Sequence, residues 1–202
     1  MAKSKNNREN IMRAALSTFV ASGYHDTRVS DIAAAAGVAE GTLYNYFSSK
    51  DDLLLGLFDE KWGGMLDDLR KKLNRVKDPN DKLKTMFSTV VRLFKKDREL
   101  AEIFMIDGKQ SSVFLNNYTV KRVVEFIDLI EEVLIEGKAA GIYRKDLDTK
   151  VTKMVIFGAA QGIMLGWVLN ESDAVNTKSF KYSLPRAGIA LKDVFKDGLV
   201  NT

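Results

Sequence analysis

The side chains of this chain best suited to chemistry are hydrogen-bonding groups gathered between Thr27 and Lys50. They comprise several hydroxyls, one carboxamide, two phenols and two cations, with no histidine or cysteine among them. Groups of this kind bind phosphate oxygens and the edges of bases, and they offer no nucleophile paired with a base. The segment therefore predicts contact with the backbone and bases of duplex DNA.

Two short helices are predicted to position these groups. Val29, Ile32, Ala33 and Ala36 recur at spacings of three and four, which is typical of the buried face of a first helix. Gly37 then permits the left-handed backbone that ends a helix and turns the chain, and a second helix follows almost at once. This is a helix-turn-helix, whose second helix enters the major groove while the first braces it.

A longer set of positions around these helices forms one signature. It consists of Gly23-Tyr24, Thr27, Ile32-Ala33, Ala36-Gly37-Val38, Gly41-Thr42-Leu43-Tyr44, Tyr46-Phe47, Lys50 and Leu53. This set closely resembles the DNA-binding signature of TetR-family transcriptional regulators. It is specific because many positions match at fixed spacing without gaps.

The resemblance and the periodicity together predict an all-α fold in two parts. Residues 1–50 would form an N-terminal three-helix helix-turn-helix DNA-binding domain, joined by a long helix to a larger helical ligand-binding and dimerisation domain over 51–202. Apolar residues repeat at helical spacing throughout, without the alternation of a strand. They predict helices over about 8–22, 50–76, 83–94, 100–104, 113–137, 149–170 and 178–200, with Pro79 ending the second of these.

Roles follow for the aromatic residues and the lysine of the motif. Tyr44 and Tyr46 are two positions apart, so on a helix they point about 200° apart and cannot both face one core. At least one hydroxyl is therefore expected to reach a phosphate, as in the resembled family. Leu43 and Phe47 are expected in the core, while Lys50 resembles the family's phosphate-contacting lysine, with a simply solvated lysine as the alternative.

The residues that flank the first helix of the motif have expected roles of their own. Thr27 and Arg28 precede that helix, where a hydroxyl can cap it and a guanidinium can pair with phosphate. Capping is the expected duty of Thr27. Gly41, in the second helix, removes a side chain where DNA would approach closely, and mere tolerance of glycine near a helix end is the alternative.

Two departures from the family pattern affect base reading. Ala39 stands where serine is common, so the second helix lacks a side-chain cap typically worth about 1 kcal/mol. Glu40 repels phosphate and can accept a hydrogen bond only from an exposed cytosine amine. We therefore expect Thr42 and Asn45 to read bases, with Val38 and Ala39 against thymine methyl groups. Arg28 stands where the family more often has threonine or serine. Its positive charge offsets part of the negative charge that Glu40 adds to the DNA-facing surface.

Composition and charge are compatible with this reading. The chain has 202 residues, 46% of them apolar, a net charge of +4 and no cysteine, which excludes disulfides and cysteine-based zinc sites. Residues 1–13 carry Lys3, Lys5, Arg8 and Arg13 against Glu9, a local excess of +3 by 4 minus 1 that suits phosphates, although Lys3 and Lys5 are equally typical of a solvated tail. No targeting segment and no apolar run approaching bilayer length are found, so a cytoplasmic protein without a membrane partner is expected.

Catalysis is not predicted. His25 is the only histidine and stands in a turn, without cysteines or carboxylates around it at metal-ligand spacing. The Gly63-Gly64 pair lies in a helical pattern without the lysine and hydroxyl of a phosphate-binding loop. We expect no enzyme activity, no metal and no cofactor.

Aromatic and methionine residues of the larger domain are candidates to line a cavity for a small hydrophobic effector, although ordinary core packing is the alternative. The apolar candidates are Phe87, Phe94, Phe104, Met105, Phe126, Phe157 and Met164, and Gln161 is the polar group that could orient a ligand. The stretches beginning at Leu100 and Ile156 resemble the bodies of fatty-acid-responsive members that bind acyl-CoA. The resemblance implies an effector such as an acyl-CoA or a drug-like molecule.

Three glycines at intervals of four predict a close helix contact. Gly158, Gly162 and Gly166 cost a helix about 1 kcal/mol each, and their lack of side chains lets another helix approach. Together with Trp167 they are the predicted homodimer interface, and room for a ligand is the alternative explanation of the glycines. The whole chain is then interpreted as a homodimeric repressor of a palindromic operator, released by its ligand; the alternative is a helical interaction or scaffold protein whose head has lost specific DNA binding.

Overall fold

The computed structural model describes residues 2–105, 117–171 and 182–199. Within these residues the chain forms ten α-helices and one π-helical turn, and no β-strand. The helices are α1 (Ala2–Ser22), α2 (Val29–Ala35), α3 (Glu40–Tyr44), α4 (Lys50–Phe58), α5 (Gly64–Leu73), α6 (Pro79–Lys96), α7 (Arg98–Met105), α8 (Asn117–Ala139), α9 (Thr149–Glu171) and α10 (Leu184–Leu199), and the π-helical turn is Asp59–Gly63. The predicted all-α fold is confirmed.

The chain divides into two compact units. The head unit comprises Met1–Gly63 and Asp97–Val120, and the body unit comprises Gly64–Lys96 and Lys121–Thr202. The sequence predicted a DNA-binding domain over 1–50 and a ligand-binding and dimerisation domain over 51–202. Those boundaries describe functional domains and stay a prediction.

In the head unit, α1 packs through the stripe that the sequence predicted. Ile11, Ala15 and Phe19 are fully buried, and α1 ends at Ser22 because Gly23 adopts a φ of +76°. Helix α7 joins this unit from much later in the chain: the Ser17 hydroxyl lies 3.0 Å from a carboxylate oxygen of Glu99. Sequence order alone had placed α7 with the larger domain.

The helical run that was predicted to be continuous over 50–76 contains a π-helical turn and ends at Leu73. The turn lies next to stacked aromatic rings, since the centroids of Phe58 and Trp62 are 5.9 Å apart and Phe58 also meets Phe104 edge-on at 5.0 Å. These rings belong to the head unit, and the boundary between the units falls at the end of the turn, between Gly63 and Gly64.

In the body unit, Pro79 begins a helix rather than ending one. The Asp78 carboxylate accepts hydrogen bonds from the backbone N–H groups of Asn80 at 2.8 Å and Asp81 at 3.2 Å, and Pro79 occupies the first turn, where no N–H partner is needed. The prediction that Pro79 terminates the preceding helix is therefore wrong, because that helix already ends at Leu73.

A glycine and a tyrosine fix the end of α8 in the body unit. Tyr143 is fully buried, and its ring occupies the space that Gly137 leaves open, because a Cβ at residue 137 would lie 2.1 Å from the ring. The Tyr143 hydroxyl lies 3.3 Å from the carboxamide oxygen of Asn80 at the start of α6.

Helix α9 is the most apolar element of the described chain. By length and composition Thr149–Asn170 could cross a membrane, so the prediction that no apolar run approaches that length is wrong. Only 22% of the apolar window is buried within the chain, and the exposed large residues on the helix include Val151, Met154 and Val155. The body unit thus presents an apolar helix face.

Candidate nucleic-acid interface

The helix-turn-helix is present as predicted. Helix α2 ends before Gly37, whose φ of +66° reverses the chain, and α3 begins three residues later. Ile32 and Leu43 are fully buried and Phe47 is 3% exposed, so these side chains anchor both helices to the head unit. The predicted core role of Leu43 and Phe47 is confirmed.

The predicted DNA-contact residues differ in how far they reach solvent. The exposed ones are Arg28, Ala39, Glu40, Gly41, Tyr44 and Asn45; the half-buried ones are Val38, Thr42, Tyr46 and Lys50; Thr27 is buried. The Tyr44 side chain is 49% exposed at the end of α3, whereas Tyr46 lies in the turn after this helix and is partly covered, so the prediction that both lie on one helix is wrong. Their contacts with DNA stay predictions.

Thr27 does not cap α2. The N-cap position belongs to Arg28, which makes no side-chain cap hydrogen bond, and the Thr27 hydroxyl instead lies 2.7 Å from the carbonyl oxygen of Gly23 and 3.3 Å from that of Thr18. The hydroxyl has one hydrogen to donate, and the shorter distance is to the Gly23 carbonyl in the turn that follows α1. The prediction of a capping role at α2 is therefore wrong, and the Thr27 side chain is used inside the head unit.

Lys50 is directed inward rather than simply solvated. Its ammonium lies within hydrogen-bond distance of three backbone carbonyl oxygens in the turn between α1 and α2, those of Tyr24 at 2.7 Å, His25 at 3.0 Å and Thr27 at 3.0 Å. The same ammonium lies 4.6 Å from the centroid of the Tyr24 ring. These contacts argue against a simply solvated lysine, and the predicted contact of Lys50 with a phosphate stays a prediction.

A buried tyrosine completes the same corner. The Tyr24 hydroxyl donates to a carboxylate oxygen of Asp51, the second residue of α4. Burial of the phenol raises the pKa of Tyr24, and the hydrogen bond to Asp51 and its negative charge raise it further. The sequence reasoning missed this pair, although an aromatic residue after Gly23 and a carboxylate after Lys50 belong to the stretch it singled out.

Capping differs between the two helices that follow the turn. Ala39 at the start of α3 makes no side-chain cap, which confirms the expected loss. At α4 the Ser49 hydroxyl accepts from the backbone N–H of Asp52 at 3.0 Å, while the Asp52 carboxylate accepts from the backbone N–H of Ser48 at 2.8 Å. Ser49 is therefore the side-chain cap of α4.

The surface of α2 and α3 has no cation of its own. Between Val29 and Ser49 the sequence contains no lysine or arginine, and its carboxylates are Asp31 and Glu40. Arg8, one of the expected phosphate contacts, lies 2.7 Å from a Glu60 carboxylate oxygen. Arg28, at the N-cap of α2, is exposed, and its contact with a phosphate stays a prediction.

The candidate effector residues are distributed over both units. Phe104 and Met105 lie on α7 in the head unit, whereas the others lie in the body unit. Of the latter, Phe94, Phe126 and Met164 are buried, and Phe87, Phe157 and Gln161 are half-buried. The rings of Phe126 and Phe157 are 6.4 Å apart, as in ordinary core packing. Their role in ligand binding stays a prediction.

The glycine series does not form one face. Gly158 and Gly162 are exposed, with no heavy atom within 4 Å of a Cβ built on either, but Gly166 and Trp167 are buried within the chain. A step of four residues turns a helix about 40° beyond a full revolution, so the third glycine has rotated towards the core. Only Gly158 and Gly162 of the predicted interface residues remain on an open surface.

Comparison with known proteins decides the family. The family described as "Bacterial regulatory proteins, tetR family" matches residues 11–57, and "YsiA-like protein, C-terminal region", a TetR C-terminal domain, matches residues 58–183. The chain belongs to the TetR family. It is therefore a DNA-binding transcriptional regulator, as the resemblance of its first quarter implied.

Individual TetR relatives match along nearly the whole chain. The fatty acid metabolism regulator protein of Bacillus subtilis is 28% identical over 191 residues, 95% of this chain and 94% of the relative. The structure of the fatty acid degradation regulator FadR from Bacillus halodurans has a TM-score of 0.84 at 31% identity, covering 95% of each chain. That of FadR from Bacillus subtilis in complex with stearoyl-CoA has a TM-score of 0.83 at 28% identity, covering 94% of this chain and 98% of that one.

Proposed function

We propose that this TetR-family regulator is a cytoplasmic homodimeric repressor that binds a palindromic operator and is released by a long-chain fatty acyl-CoA. The observation that supports this choice of effector is the structural similarity, over 94% of the chain, to a FadR structure that contains stearoyl-CoA. The similarity spans the body as well as the head, so it concerns the part of the chain that would take a ligand.

The reading surface supports an operator made of two half-sites. Helix α3 is only five residues long, and its exposed polar side chains are few: Glu40, Tyr44 and, just after the helix, Asn45. One head of this size contacts few bases. Two heads on successive major grooves would read half-sites about 34 to 36 Å apart and give the specificity that one head lacks.

The exposed face of α9 supports the homodimer. Val151, Met154, Val155, Gly158 and Gly162 are all exposed on this helix, and four of them follow the spacing of a helix-packing seam, at steps of four, three and four residues. The bare glycines would let a second copy of the helix approach closely. Covering this face in a dimer would also remove the apolar surface that makes α9 resemble a membrane span.

The body unit offers apolar groups suited to an acyl chain. Phe126, Phe157 and Met164 lie on α8 and α9 with fully or half-buried side chains. An acyl chain would gain about 0.8 kcal/mol for each methylene that such groups remove from water. An effector of this kind would differ from CoA alone by many methylenes, so the free energy of release would depend on chain length.

Operator release by acyl-CoA is the direct test. A duplex selected by the protein from a random palindromic library would be titrated by fluorescence anisotropy, then challenged with stearoyl-CoA, CoA or stearate. The proposal expects stearoyl-CoA to weaken binding at least tenfold, with little effect of the two fragments. No response to stearoyl-CoA would refute the effector, and selection of no preferred duplex would favour the interaction or scaffold protein.

A further inference from the structure

Helix α3 carries a carboxylate at its leading end. Glu40 is the first residue of this helix and is exposed, and within the part of the chain that the structure describes its carboxylate has no hydrogen bond or ion pair. The sequence from Val29 to Ser49 contains no lysine or arginine that could neutralise it. The charge of Glu40 is therefore available to whatever α3 binds.

The geometry of the helix places Glu40 where bases are read. Glu40 and Tyr44 are four residues apart, so they lie on one side of α3, and both are exposed. Side chains of a helix lean towards its N-terminus, so the Glu40 side chain is directed towards the leading end of α3. The N-terminal residues of a recognition helix are the ones that contact base edges in the major groove.

A carboxylate distinguishes the four bases because it only accepts hydrogen bonds. In the major groove guanine presents two acceptors, and thymine presents an acceptor beside a methyl group, so both leave the charge unpaired. Adenine presents an amino group next to the acceptor N7, which repels the second carboxylate oxygen. Cytosine presents only its N4 amino group, which a glutamate can accept from. Any other base leaves a carboxylate without a donor beside phosphates, and such a charge is costly.

We infer that Glu40 is a specificity-determining residue, which accepts a hydrogen bond from the N4 amino group of one cytosine in each half-site. The inference rests on the proposed operator binding, and it names a base that the operator must contain. It adds Glu40 to Thr42 and Asn45 as a residue that reads bases. The repulsion between Glu40 and phosphate then serves selection, because only a half-site with the cytosine compensates for it.

A change of Glu40 to glutamine tests the assignment through the base that is selected. Glutamine both donates and accepts, so it suits the N6 and N7 groups of adenine. Duplexes would be selected from a random palindromic library by the original chain and by Glu40→Gln in parallel. We expect the original chain to select cytosine at one position of each half-site, and Glu40→Gln to lose this preference in favour of adenine.

Anisotropy titrations would then measure the size of the preference. Replacing that C·G pair with A·T should weaken binding by the original chain about fivefold for one half-site and about 25-fold for both. Glu40→Gln should bind the A·T duplex at least as tightly as the C·G duplex.

The matched control is Asp31→Asn. Asp31 is also an exposed carboxylate in the first turn of a helix, but it belongs to α2, which braces the reading helix. Its replacement removes the same charge from the DNA-facing head and the same favourable acid from a helix start. Effects of general repulsion or of helix stability should therefore appear in both variants, whereas the selected base should change only in Glu40→Gln.

A change in the DNA keeps the test decisive should Glu40→Gln fail to fold. Replacing the selected cytosine with 2-pyrimidinone, which lacks the 4-amino group, should weaken binding by the original chain about fivefold for each half-site. The inference is overturned if this replacement leaves the affinity unchanged, if Glu40→Gln selects the same cytosine as the original chain, or if Asp31→Asn changes the selected base equally. Failure of the original chain to prefer any duplex would instead refute the proposed function, before any variant is compared.

Discussion

Replacing Gly41 with alanine separates the contribution of α3 to the stability of the protein from its contribution to DNA binding. Gly41 is the second residue of α3, it is exposed, and a Cβ built there has no heavy atom within 4 Å. Nothing within the described residues of the head requires a glycine at this position. Because alanine favours a helix, the free energy of unfolding should rise by roughly 0.5–1 kcal/mol.

Binding should change in the opposite direction. If Gly41 allows close approach of DNA, an added methyl group would collide with the groove, and overpacking of this kind typically costs about 1–3 kcal/mol. This corresponds to a loss of about 5- to 150-fold in affinity for each head. Urea unfolding and operator titration of the same preparation would measure both quantities.

Gly64 provides the matched control for this substitution. It is also exposed, helical and without a heavy atom within 4 Å of a built Cβ, but it begins α5 in the body unit. Gly64→Ala should leave operator affinity unchanged. If Gly41→Ala also binds the operator as tightly as the original chain, the glycine is merely tolerated and the assignment of a close approach at α3 is refuted.

Four further outcomes are expected. Gly137→Ala should destabilise the chain by at least about 3 kcal/mol in urea unfolding, because a Cβ there would lie 2.1 Å from the Tyr143 ring; a smaller cost would mean that the ring moves freely. Ala39→Ser should raise the free energy of unfolding by about 1 kcal/mol, because the serine hydroxyl can cap α3. An unchanged midpoint of urea unfolding would show that α3 gains no stability from a side-chain cap. Gly162→Leu should convert the homodimer to a folded monomer in analytical ultracentrifugation, since the monomer has open space there; an unchanged dimer would exclude this face. The raised pKa of Tyr24 means that its contribution to stability is complete below the ordinary tyrosine pKa, near 10, and is lost as pH rises above it; Tyr24→Phe should flatten this alkaline decline, and equal slopes would contradict the burial of the phenol.

Local patterns predicted the helix-turn-helix well. The buried face of α2, the left-handed Gly37 and the core residues Leu43 and Phe47 all follow from spacing and from the conformational freedom of glycine. These features depend on residues a few positions apart. Sequence reasoning can therefore recover them without knowing what packs on them.

Features that depend on tertiary partners were not predictable in the same way. Lys50 and Thr27 point into the head because carbonyl oxygens of a distant or irregular backbone stretch need donors there. Pro79 begins a helix because the preceding one ends early, at Leu73. Gly166 faces the core because the helix rotates between successive glycines, and only packing shows where the exposed face ends.

The most direct test of the account is operator binding measured across salt concentrations. Anisotropy titrations would compare a palindrome from upstream of the protein's own gene with a scrambled duplex of the same length. The account predicts a specific complex favoured at least about a thousandfold, with log Kd rising steeply against log salt. Equal, weak binding to both duplexes by the unliganded protein would contradict it.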